Sequence, residues 1–532
     1  MSDRLVLRGG TLVDGTGEAR RQADVLVEGD TVTAVGDVPE SGDERTIDAR
    51  GLVVAPGFVD VHTHADLPLL AFPDAESAVR QGVTTVVIGN CGGGVAPVNA
   101  DHDLRRVAFA YDDEWGVEVT WRGFGDYLEL LEGKAVNVAA LVPHGTLRNA
   151  VMGLAPRAPD KAEADAMASL LREALQGGAI GFSTGLEYQP GCFAETDELV
   201  ALAQVAADHG GAYATHMRNR AEAYAAATDE AIEIARRTGV RLQLSHVAPR
   251  PYAPAHETEQ ALTAIDDAAR SGDLWVDTFP EVWGPGTLVD LLPGHIANGD
   301  ARQVARRLKD PGARREVAAY FDEGANFLVR AGGYEQIYIS GCPTRPEIEG
   351  GSLPALAERE GTTMADLCCD VLLEAGSQLM TVMIRHVYAT EADLRRVIDL
   401  PYCSFGSDGV VSSGEDGDCG CRWSASTYGY VPRVLEWYVR ELGVLTLEDA
   451  VRRLAALPAE AMGLGDRGVL RPGARADVVV LDYDAIRDRS SPERQARHPE
   501  GIEHVLVNGV SVLEAGRQTG RRPGRVVGGA SA

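Results

Sequence analysis

The chain has 532 residues, of which 45% are hydrophobic, and a formal net charge of −29 with histidine counted neutral. That length suits one large barrel plus a satellite domain, and the apolar share is enough for a sizeable core. The negative balance argues against nucleic acid or an anionic membrane as a partner. With no signal-like N-terminus and no apolar run of ~18 residues, the expected setting is the cytoplasm. The eight cysteines are scattered, without the spacing of a disulfide frame or a zinc ribbon.

Residues 3–55 read as short alternating strands ("RLVLRGGTLVDG", "ADVLVEGDTVTAVG", "TIDARGLVVAPG") separated by glycine and aspartate. The same texture returns in "GVLRPGARADVVVLDYD" and "IEHVLVNGVSVLEAG", so segments 1–55 and 466–532 are expected to build one small β-sandwich from both chain ends. Between them run eight short apolar stretches: "GFVDVHTH", "TTVVIGNC", "VNVAALVPHG", "AIGFSTG", "GAYATHM", "LQLSHV", "LWVDTFP" and "YCSFGSDG". Helical segments at Lys161–Gln176, Glu195–His209 and Ala221–Thr238 separate several of them. Strand–helix alternation with buried strands predicts a parallel sheet, and eight runs predict an α/β fold of the (β/α)8, TIM-barrel type over residues 56–465. The long gap between runs seven and eight predicts an inserted subdomain over residues 283–381, with helices at Ala301–Phe321 and Leu353–Gly376.

The polar residues that end these runs carry the chemistry. Run one ends in His62 and His64, run two in Cys91, run five in His216, run six in His246 and run eight in Asp408. In a parallel barrel the C-terminal strand ends converge on one face, where active sites sit. Four imidazoles, one thiol and one carboxylate at such ends make a zinc-type ligand set. His144, which ends run three, is a further candidate for that face.

"APGFVDVHTHAD", "GNCGGGVAPV", "HGTLRNAVMG", "STGLEYQPGCF", "THMRNRA", "LSHV" and "FGSDG" together resemble the D-aminoacylase branch of the amidohydrolase superfamily, the N-acyl-D-amino-acid deacylases. The resemblance runs from about residue 3 to 520. It implies a zinc-dependent hydrolase of a linear amide in a small-molecule substrate. Position by position, it implies that Cys91, His216 and His246 hold a tight metal site, that His62 and His64 hold a weaker second one, and that Asp408 is the catalytic acid/base. Tyr188, in "GLEYQPG", matches a substrate-contacting position. Many binuclear relatives bridge their metals with a carbamylated lysine. The only lysines here are Lys134, Lys161 and Lys309, none at a suitable strand end, which leaves the Cys91 thiolate as the anionic ligand. The glycines after Cys91 open no helix, so they read as room for close backbone approach rather than a phosphate loop.

The substrate motifs depart from the family pattern in three places. Ala248 replaces a lysine, Phe279-Pro280-Glu281 replaces Tyr-Pro-Tyr, and Ser426 replaces an arginine. A hydroxyl does not reproduce a guanidinium–carboxylate contact. The expected substrate is therefore a non-standard N-acyl or peptide-like amide, whose amine half lacks a free α-carboxylate unless Arg422 or Arg250 substitutes from a nearby loop. Tyr188, His144, Arg422 and Ser426 are the expected substrate contacts. The competing readings are a hydrolase of cyclic amides of the hydantoin or imide type and a catalytically inactive binding homologue. Zinc stoichiometry separates the second from an enzyme, and the sequence leaves the oligomeric state open.

Overall fold

The computed structural model describes residues 4–415, 423–491 and 493–528. Eight strands form one parallel sheet: β1 (Phe58–Asp60), β2 (Val83–Ile88), β3 (Asn137–Pro143), β4 (Gly181–Gly185), β5 (Ala212–His216), β6 (Arg241–Leu244), β7 (Leu274–Thr278) and β8 (Cys403–Phe405). They are ordered by sequence around the sheet, with β8 beside β7. The first and last strands meet just beyond their C-terminal ends through a parallel bridge between Thr63 and Gly409. There the His64 N–H donates to Gly409 O at 2.7 Å and the Asp408 N–H donates to His62 O at 3.0 Å. The barrel is thus drawn shut at the rim that carries the polar strand ends, and all eight sequence runs supply a strand.

The strands are apolar because both of their faces are covered. Val86, Val138 and Val142 join a cluster with the helix residues Leu171, Leu199 and Leu202. Val87, Ala139, Leu141 and Ala214 join another with Leu457, Ala459 and Met462, so the helix Ala456–Ala461 and the residue after it close the inner core. The helix Lys161–Gln176 starts where Asp160 and Glu163 cap each other's backbone N–H groups.

The insertion has its own apolar core, which includes Leu288, Val304, Phe321, Leu356 and Leu372. Its three antiparallel strands are Trp283–Thr287, Tyr338–Gly341 and Met383–Val387, the last in the middle and beyond the expected boundary at Thr381. Each of its two expected long helices is divided. Asp310 caps a new helix beginning at Pro311, which has no N–H to continue the preceding one. Gly361, at φ +66°, ends the helix Leu353–Glu360, and Thr363 caps the next. The two chain ends share a nine-stranded mixed sheet in which Val53–Pro56 pairs antiparallel with Val478–Leu481. A bridge between Thr31 and Arg475 curls that sheet around Leu7, Val25, Ala476 and Val478. Among the described residues no helix is long and apolar enough to cross a membrane, and the six described cysteines are free.

Candidate metal centre and cavity

Cys91 sits in a tight turn immediately after β2, at φ +52°. The glycines on either side explain how the turn reaches its neighbours. A Cβ on Gly89 would stand 2.0 Å from Leu141 O of β3, and one on Gly92 would stand 2.5 Å from the Gly185 N of β4. The Asn90 side chain donates to Val87 O at 2.9 Å and the Tyr188 hydroxyl donates to Cys91 O at 2.8 Å, fixing the turn from two sides.

The strand ends converge on this thiol. His62, His64 and Cys91 form one buried group and Cys91, His216 and His246 a second, with the ligand atoms of each group within 4.8 Å of one another. Cys91 Sγ lies 3.1 Å from His62 Nε2 and 3.4 Å from His246 Nε2. Asp408 Oδ1 is 3.0 Å from His64 Nε2 and 3.5 Å from His62 Nε2. His246 (φ +35°) and Asp408 (φ +46°) share the left-handed backbone of Cys91, a conformation that side chains with a Cβ adopt at a cost.

Asp277, in β7, is a member of this arrangement that motif reading missed. Its Oδ1 accepts from the His246 backbone N–H at 2.7 Å and its Oδ2 accepts from Gln243 Nε2 at 2.9 Å. It also stands 3.4 Å from His62 Nδ1, leaving His62 Nε2 directed at Cys91. A carboxylate behind a ligating imidazole is the usual device for fixing its tautomer. The available signal was a lone aspartate inside an otherwise buried apolar run.

The electrostatics favour charged donors. Burial alone would push the Cys91 thiol up, but the His62 and His246 imidazoles and hydrogen bonds from His216 and His246 outweigh it and hold the thiol well below its ordinary value. Burial likewise disfavours the Asp408 carboxylate, yet its bond to His64 and the imidazoles of His62 and His246 bring it down to about 2. The same bond takes His64 up to about 9 against its own burial. A thiolate among imidazoles, buried and within one ion's reach, is a donor set that fits zinc. No lysine competes: Lys134 donates to Leu130 O ahead of β3, Lys161 pairs with Asp165, and Lys309 ends a helix of the insertion.

A cavity of about 450 Å³ opens above these residues, lined by His64, Cys91, Tyr188, His216, His246 and Asp408 from the barrel and by Thr287, Tyr320, Phe327 and His386 from the insertion. His62 is buried and is not among the lining residues. Glu187 and Arg220, neither of them singled out from motifs, also line the cavity, as does Arg250, named above with Arg422 as a substitute carboxylate contact. Glu187 Oε2 accepts from His216 Nε2 at 3.0 Å and from Arg250 Nη2 at 2.6 Å.

Two of the expected substrate contacts do not line this cavity. His144 opens the helix His144–Met152 and turns its ring to Glu198, with Nε2 2.8 Å from Oε1, in a buried cluster that includes Arg148. Ser426 begins the helix Ser426–Arg433 and is buried by its packing. Arg422 lies outside the described residues, as do residues 416–421 before it, although Trp423 reaches the cavity wall. Tyr188 lines the cavity.

Residues 45–513 match the profile of the amidohydrolase family. The chain is 36% identical over 526 residues to an N-acyl-D-glutamate deacylase of Alcaligenes xylosoxydans xylosoxydans, spanning 98% of this chain and 96% of that one. A D-aminoacylase structure with a binuclear metal centre is 32% identical, with a TM-score of 0.81, and the match covers 99% of this chain and 100% of that one. The N-acyl-D-glutamate deacylase of Bordetella bronchiseptica, solved with zinc and a phosphonate inhibitor, is 32% identical, with a TM-score of 0.80 and 99% of both chains covered. The fold, the full-length identity and the convergent donors lead to one conclusion: the chain belongs to the amidohydrolase family and is a metal-dependent hydrolase acting on carbon–nitrogen bonds.

Proposed function

We propose that this protein is a zinc-dependent deacylase that hydrolyses the linear amide of an N-acyl amino acid or a close, peptide-like analogue, releasing a carboxylic acid and an amine. The observation that carries this reading is the meeting of Cys91, His216 and His246 with His62, His64 and Asp408 at the floor of one cavity. In this reading Cys91, His216 and His246 hold the tight zinc, and His62 and His64 with Asp408 offer a second, weaker position. Zinc held there supplies Lewis-acid polarisation of the scissile carbonyl and a nucleophile usable at neutral pH.

The chain's own residues do the rest. Asp408, held as a carboxylate by His64, accepts the proton of the attacking water and delivers it to the leaving nitrogen. Asp277 keeps His62 and the His246 backbone in register while the proton moves. Tyr188 holds the Cys91 turn from the cavity side. The relatives named above act, by their names, on N-acyl-D-glutamate and D-configured substrates, and a D-configured amine half is carried over as part of this proposal. Ala248 and Ser426 stand where the family pattern has a lysine and an arginine, and Phe279-Pro280-Glu281 lacks a tyrosine hydroxyl, so in this reading the substrate is gripped differently. Arg220 and Arg250 in the cavity wall favour an anionic amine half over the carboxylate-free one expected from motifs alone.

The test is a panel of N-acyl D- and L-amino acids, N-acyl amines, dipeptides and cyclic imides assayed on protein of measured zinc content. Hydrolysis of linear N-acyl amino acids with chelator-sensitive zinc is expected. Turnover confined to ring opening, or stoichiometric zinc with no hydrolysis of any linear amide, refutes the reading.

A further inference from the structure

Three arginines line the cavity, and their donors are used differently. Arg106 gives Nε to Gly299 O, Nη2 to Ala297 O and Nη1 to Met380 Sδ, so its fork is occupied in tying a barrel loop to the insertion. Arg220 gives Nη1 to two carbonyls, His246 O and Ala248 O, which props the turn after β6, and it leaves one buried nitrogen, Nε, without a partner while stacking 5.0 Å from the Tyr388 ring centroid. Arg250 is 3% exposed and spends only Nη2, on Glu187. Its Nε and Nη1 are buried and make no hydrogen bond.

Two unmade hydrogen bonds on a buried guanidinium are costly, and such a group is what a carboxylate ligand satisfies. The side chain is also held in place. Its guanidinium carbon lies 4.5 Å from the centroid of the Phe327 ring, contributed by the insertion, and its Glu187 bond braces the other side. Its position relative to the chemistry is set as well. The same Glu187 oxygen accepts from both His216 and Arg250, so the guanidinium stands within two hydrogen-bond lengths of a proposed metal ligand. In an N-acyl amino acid the free carboxylate is three bonds from the scissile carbonyl carbon, which matches that short span.

We propose that Arg250 is the carboxylate-binding residue of this enzyme, taking the place of the lysine and arginine that Ala248 and Ser426 lack, and so selects N-acyl amines that carry a free carboxylate close to the amide. The proposal rests on the deacylase reading above and adds a specificity-determining residue to it. The α-carboxylate and a side-chain carboxylate offer the same chemistry, and the substrate pairs in the test separate them.

The experiment measures kcat/KM for an N-acetyl amino acid and its α-carboxamide, and for N-acetyl aspartate against N-acetyl asparagine, on zinc-loaded wild type, Arg250→Met and Arg250→Lys. Wild type is expected to prefer the α-acid, and the acid-to-carboxamide ratio is expected to fall at least about 30-fold in Arg250→Met, the order given by losing charge-assisted hydrogen bonds. The loss falls mainly on KM. A drop confined to the aspartate/asparagine pair assigns Arg250 to a side-chain carboxylate instead. If Arg250→Met does not fold, Arg250→Lys decides: its ammonium lacks the planar fork, and the ratio falls at least about fivefold. A ratio unchanged in the folded variant, or a wild type indifferent to the carboxylate, overturns the proposal while leaving the deacylase reading intact. A wild type inactive on every linear amide refutes that reading instead.

Discussion

Cys91 is the one residue common to both buried donor groups, so its removal tests the metal centre as a whole. Cys91→Ala keeps the Cβ and therefore the strain of φ +52°, and it deletes only the sulfur that lies 3.1 Å from His62 and 3.4 Å from His246. Zinc bound by four protein ligands is worth roughly 10–16 kcal/mol near neutral pH, so one ligand accounts for about 3 kcal/mol, or on the order of 100-fold in affinity. The loss affects both positions, because each group keeps only two imidazoles. The assay is zinc per chain by elemental analysis after dialysis against a chelator of graded affinity, with hydrolysis of the best panel substrate measured alongside. Expected are a drop of about two decades in zinc affinity and near-complete loss of turnover. A variant that holds full zinc at wild-type affinity refutes the assignment of Cys91 as a ligand.

Further outcomes follow from other contacts. Asp408→Asn keeps the shape of the side chain but cannot take a proton, so kcat falls by about 10³ while the tight zinc stays bound; activity within tenfold of wild type removes Asp408 from the proton path. Asp277→Asn weakens the orientation of His62 and His246, and zinc affinity drops about 10- to 100-fold as judged by chelator competition, with little change in KM. Glu76 lies 3.4 Å from His498 Nε2 and accepts from the Gly414 N–H and Arg80 Nε, and these neighbours, His498 first, bring it from 4.5 to about 2. A depressed carboxylate stabilises above its ordinary value and loses that contribution as pH falls through about 2. Glu76→Gln therefore lowers stability at pH 7 by about 1 kcal/mol after allowance for solvent screening, and flattens the decline of the urea midpoint between pH 5 and 3. An unchanged midpoint profile rules out the effect.

The barrel was legible because its eight strands are buried on both faces and read as apolar runs, each followed by a polar residue at a predictable rim. Residues held at the strand ends, from His62 to Asp408, are brought together because that geometry leaves them little choice of direction. Prediction weakened one step further along the chain. His144 follows β3 as His246 follows β6, but it enters a helix at once, and its ring meets Glu198 instead of the cavity. Glu187 and Arg250 lie outside the strands, and Phe327 of the insertion packs on the Arg250 guanidinium from more than 70 positions away. Asp277 was hidden for another reason. A carboxylate in the middle of a buried strand carries no motif, and only the two histidines it supports reveal its purpose.

Cys91, His246 and Asp408 are three of the seven non-glycine residues with positive φ among those described. Each left-handed backbone costs on the order of 1 kcal/mol, which glycine would relieve in part, offset by its looser unfolded chain. With the roles proposed above, selection for thermal stability alone would therefore favour erasing these three side chains, and only selection for turnover retains them. Ala110 and Ala515 share the same backbone strain with no role in the centre. An engineer seeking a sturdier enzyme finds there the relief that the active site must forgo.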